Sequence, residues 1–177
     1  MNRNSRRFLP ALLLLGLFAI GTRMAVYAAG GQHDAAQGGA PTYSRAYLRS
    51  YNLNSSGLAI EGYCPVTYHT HNVARQGSPE YASTYNGVDY HFVSAAAKSM
   101  FDRVPENYIP AYGGWCAYGM AVQDKFPIDP TNFKVVDGNL LLFLRNDKVD
   151  ALDLWEQGDE AENLRKAGAH WKKVSGV

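Results

Sequence analysis

The chain has 177 residues, with 17 Lys and Arg against 16 Asp and Glu, and it contains two cysteines. Four of the arginines lie within residues 1–28, which hold no acidic residue, so a chain cut after Ala28 keeps 13 basic and 16 acidic residues, a net of −3. A mildly acidic chain of about 149 residues is large enough for one core, and it lacks the clustered positive charge on which nucleic-acid binding depends.

At the N-terminus, Arg3, Arg6 and Arg7 precede an apolar run from Phe8 to Ile20, broken only by Pro10 and Gly16. Val26-Tyr27-Ala28 then offers a cleavage point before Ala29. A charged start, a short apolar middle and a small-residue end predict a signal peptide over residues 1–28 and a periplasmic or secreted location. The run falls short of the roughly 20 residues of a membrane span. If the signal stays uncleaved it becomes an N-terminal membrane anchor; once it is cut, no membrane span is expected. No cysteine lies near the cut, which argues against a lipoprotein.

Residues 29–42, AGGQHDAAQGGAPT, are rich in Gly and Ala and read as a flexible leader. Residues 43–177 read as one domain with no repeat at a fixed period. Leu58-Ala59-Ile60 suggests a short strand ending at Gly62. In EYASTYNGVDYHFVS, Asn86-Gly87 between two β-prone runs predicts a hairpin, with Tyr90 and Phe92 on one face and His91 on the other. Ser94 then caps a helix in which Ala97, Met100, Phe101 and Val104 recur at helical spacing and which Pro105 stops. A second hairpin is predicted in NFKVVDGNLLLFLRND, turning at Asp137-Gly138, with residues 140–144 as a buried strand. The C-terminal third reads as two helices separated by Gly158, one carrying Leu152, Leu154 and Trp155, the other Leu164, Ala167 and Trp171. Together these elements predict a small α+β domain, two β-hairpins packed against helices, with C-terminal helices added.

The stretch from Leu58 to Tyr112 resembles the YHS-domain family. The resemblance rests on GYCPVTY at 62–68, GSPEYASTYNG at 77–87, YHFVS at 90–94 and FDRVPENYIP at 101–110. The rest, from GGWCAYGMA at 113–121 to the closing Trp-containing helix, is similar to a longer exported bacterial subgroup. The domain therefore divides into a YHS core at about 58–112 and an extension at 113–177. The family is often described as metal-binding, through cysteines that do not carry over: Thr67 follows Cys64-Pro65-Val66, and residues 92–97 contain no Cys. Cys64 itself stands where compact members commonly have Asp.

Several readings of Cys64 and Cys116 stay open at this level. A disulfide between them suits an exported protein and would contribute roughly 4 kcal/mol in the chain-entropy model. A soft-metal site, copper before zinc, would draw on Cys64, Cys116, His69, His71, His91 and Met120. For such a site, His69 and His71 are expected to face one side of an extended segment, with a turn at Pro65. The cysteines can also be inert core fillers, or a redox pair, although no C-x-x-C is present. Tyr63, Tyr68, Tyr112, Trp115 and Tyr118 are the candidates for an aromatic surface that meets another exported protein or a small ligand. No G-x-S-x-G, H-E-x-x-H or phosphate loop occurs, so the expected function is binding rather than catalysis.

Overall fold

The computed structural model describes residues 45–176, so the expected signal peptide and leader lie outside the described residues. Helix α1 (Arg45–Leu48) leads to a tight turn at Ile60–Gly62 and to α2 (Pro65–His71). Strands β1 (Ser78–Tyr85) and β2 (Val88–Phe92) form the first hairpin, followed by α3 (Ala95–Arg103). A second tight turn at Ala111–Gly114 leads into α4 (Ala117–Ala121). The second hairpin, β3 (Asp129–Val136) and β4 (Asn139–Phe143), is followed by α5 (Ala151–Glu156) and α6 (Glu160–Ser175). The result is the expected α+β fold: two antiparallel two-stranded sheets packed against helices, with two helices at the C-terminus.

Local chemistry accounts for most of these boundaries. Both hairpins turn through paired positive φ angles, 55° and 79° at Asn86-Gly87 and 49° and 78° at Asp137-Gly138, which these dipeptides tolerate best. Ser94, Asp150 and Asp159 each accept a backbone N–H at the start of α3, α5 and α6. Pro65 opens α2, where its missing N–H would have had no partner within the helix.

The order turn, cysteine, short helix, hairpin, helix occurs twice. The turn at Ile60, Glu61 and Gly62, with φ of 50°, 50° and 85°, matches Tyr112, Gly113 and Gly114, with φ of 54°, 61° and 82°. Cys64 N–H bonds to the Arg75 carbonyl, and Cys116 N–H bonds to the Phe126 carbonyl. In the first hairpin Ser78 pairs with Phe92, then the register slips so that Ala82 faces His91. In the second, Asp129 pairs with Phe143, and the same slip brings Phe133 opposite Leu142. The parallel bridge Leu58–Asp89 has its counterpart in Pro110–Leu140. The expectation of no repeat is thus corrected: residues 58–103 and 110–156 are two copies of one supersecondary unit. Few side chains are shared, and most of those that are carry a backbone or packing requirement: Ala59 and Ala111, Gly62 and Gly114, Cys64 and Cys116, Pro79 and Pro130, Gly87 and Gly138, Phe92 and Phe143.

Each unit fills its hairpin with one large aromatic from the helix that follows. Phe101 of α3 lies with ring centroids 4.9 Å from Tyr90 and 5.0 Å from Phe92. Trp155 of α5 lies 5.6 Å from Phe143. Tyr68 joins the halves, stacking edge-on against Phe133 and donating its hydroxyl hydrogen to the Pro130 carbonyl at 2.9 Å. Residues 50–54 pass over the second turn, where Asn52 bonds to Gly113 and Gly114 and the Trp115 indole donates to the Ser50 carbonyl. Only α6 has no counterpart in the first unit.

Candidate functional site

The two cysteines occupy one structural position twice. Each is the residue before the first turn of a short helix, α2 or α4, and each is 0% exposed. Both thiols are free. Cys116 Sγ accepts the Leu144 N–H at 3.3 Å, which ties α4 to the end of β4. Burial pushes the Cys116 thiol up, against the opposing pull of the N–H groups of Leu144, Gly119 and Tyr118. A buried thiol held in the neutral form is a poor nucleophile and a poor metal ligand.

The two histidines of α2 are not placed as a pair. His69 and His71 lie on helix α2, not on an extended segment, so two residues of spacing send them to different faces. His69 meets the Tyr108 ring edge-on at 5.5 Å, and burial holds its imidazole below the ordinary value, with the nearby Tyr108 backbone acting the other way. Its Nε2 is buried without a hydrogen-bond partner among the described residues. His71 is exposed and bonds to the Thr70 hydroxyl. His91 is half-buried on β2, and Met120 is buried in α4. Among the described residues no three His, Cys, Asp or Glu side chains are placed to hold a metal ion.

The aromatic candidates are mostly walls of the core. Tyr68 is fully buried, which removes it from any surface, while Tyr63, Tyr112, Trp115 and Tyr118 are half-buried and packed against the core. Trp115 also carries the Lys125 ammonium 5.3 Å from its ring centroid.

A concavity lies elsewhere, in a cleft of about 630 Å³ between the end of α4 and the C-terminal half of α6. Val122 and Gln123 form one wall, and Lys166, Ala169, His170 and Lys173 the other. Val122 is 49% exposed at the rim. Gln123 stands at φ 65°, a left-handed position that its counterpart Asn72 (φ 51°) tolerates better. Arg165 completes the cationic wall and is held by both Glu162 oxygens at 2.7 Å, with Lys166 3.4 Å from the same carboxylate. These contacts hold Glu162 at about 2. Lys173 is in no ion pair among the described residues.

This site is missed by a search for thiols, histidine spacings and enzyme motifs. Its trace in the sequence is a charge reversal: residues 147–162 are rich in Asp and Glu, and Arg165, Lys166, His170, Lys172 and Lys173 follow within nine positions. The same reversal suits the dipole of a long helix, so by itself it does not announce a cleft. Comparison with protein-family models, with curated proteins and with solved structures yields no match. Among the described residues no helix is long and apolar enough to cross a membrane.

Proposed function

We propose that this chain is an exported, non-enzymatic domain of the YHS type that binds a small ligand in the cleft between α4 and α6. The observation that carries this reading is the cleft itself, whose volume of about 630 Å³ falls in the size range of small-molecule sites, roughly 300–1,000 Å³. Its walls belong to two helices packed closely against each other, so the lining side chains are presented from rigid elements.

The reading replaces the metal site and the disulfide as the centre of function. Cys64 and Cys116 then serve as small buried fillers at two equivalent helix starts. Crystal soaking with a library of small fragments tests it. Occupancy concentrated between Gln123 and Ala169, lost in Ala169→Trp, is the expected result. Because Ala169 is exposed, the bulky replacement fills the groove without entering the core. Fragments scattered over the surface, or a cleft that stays empty throughout, would overturn the proposal.

A further inference from the structure

We infer that the ligand of this cleft is a small molecule carrying at least two anionic groups, phosphate or carboxylate, an inference that rests on the binding site proposed above. The chemistry of the walls is lopsided. Arg165, Lys166 and Lys173 supply three fixed positive charges, and His170 adds a ring that can donate hydrogen bonds. Among the described residues Glu162 is the one carboxylate paired with this group, and both cations it holds lie at one end of the cleft. Lys173 is left at the other end in no ion pair among the described residues. The opposite wall, Ala121, Val122 and Gln123, has no charge of its own and offers an amide.

Spacing sets the length of the ligand. Lys166 and Lys173 are seven residues apart on one continuous helix, which places their backbones about 10 Å apart along its axis. Long lysine side chains close part of that gap, so two anionic groups a few bonds apart meet both ends at once. Between them Ala169 leaves an open floor, and with Val122 at the rim the middle of the cleft is small and apolar. A monoanion would satisfy one end only. The excess charge is local: it stands out against a described chain that is acidic elsewhere, above all along residues 147–162.

Inorganic pyrophosphate is the probe, followed by amide chemical shifts and by calorimetry at low salt. The expected result is saturable one-to-one binding with shifts centred on Gln123, Ala169, His170 and Lys173, weakened by added salt. Lys166→Gln combined with Lys173→Gln should lower the affinity by about tenfold or more, since two charge-assisted hydrogen bonds are lost. Both residues are exposed, so the double variant keeps its fold. Shifts spread evenly over all surface lysines, or binding unchanged in the double variant, would overturn the inference. Vesicles of anionic phospholipid separate a membrane headgroup from a soluble ligand: sedimentation with the vesicles, without pyrophosphate binding, would overturn it in favour of a membrane surface. Neutral fragments in the cleft with no pyrophosphate would sink the anionic ligand while leaving the binding site standing.

Discussion

The first unit enters its cysteine through Ile60 and Glu61, two side-chain-bearing residues at positive φ, whereas the second makes the same turn through Tyr112 and Gly113 with Trp171 laid across it. The backbone path is the same and the surroundings are not. In the first unit Glu61 is free to carry a side chain into solvent. In the second, a Cβ on Gly113 would stand 2.5 Å from the Trp171 ring, closer than any real contact allows. Helix α6 is thus the origin of the difference between the halves. It covers the second turn and α4, demands a glycine beneath Trp171, and creates the cleft along its other edge. A duplicated unit keeps its frame, and the added helix converts one copy into a candidate binding site.

The largest expected effects test whether the two copies are held in the same way. Phe101→Ala and Trp155→Ala each empty the centre of one hairpin and should each cost about 3–5 kcal/mol, measured by urea unfolding. If one variant leaves stability nearly untouched, the two cores are not equivalent. A middle-sized effect separates the turns. Gly113→Ala should cost about 2–4 kcal/mol, from the left-handed backbone and the collision with Trp171. Glu61→Gly should be neutral or stabilise by about 1 kcal/mol, because the same strain is relieved with nothing overhead. Equal losses in both would show that Trp171 is not the constraint.

The smallest effect concerns the caps. Ser94→Ala removes one acceptor from the start of α3 and should cost about 1 kcal/mol. Asp150→Ala should cost more, up to about 2 kcal/mol, because Asp150 also takes a hydrogen bond from the buried Asn132 side chain at 2.8 Å. The bond from Asn132 is the main reason the Asp150 carboxyl sits below its usual range, burial acting against it. A carboxyl lowered in the folded state supplies stability that is complete above its unfolded value of about 4 and is lost as pH falls through the folded value. Unfolding from pH 7 down to 3 should therefore show the penalty of Asp150→Ala shrinking in acid, while that of Ser94→Ala stays flat.

Much of the frame was legible in the residues. Asn86-Gly87 and Asp137-Gly138 announced both hairpins because few dipeptides accept two positive φ values, and Ser94 and Pro105 marked α3 from its ends. The duplication was not legible as a period. Its signal is spread over a handful of positions, the glycine and cysteine of each turn, a proline, a turn glycine and a phenylalanine, while the strands between them differ in almost every side chain. The segment after Cys64 misled for a different reason: Pro65 reads as a break, yet it sits at the one helical position that needs no N–H.

The sequence by itself determined the turns, the caps, the α+β class and the choice of large aromatics for the core, since each depends on the φ range, the hydrogen bonds or the size of residues close together in the chain. Tertiary structure alone decided that Cys64 and Cys116 are equivalent positions, that His69 and His71 leave a helix on different faces, and that Val122 and Gln123 face the cations of α6. Those outcomes depend on which distant segments pack together, and the packing of a helix some 40 residues downstream leaves no mark on the local preferences of the residues it covers.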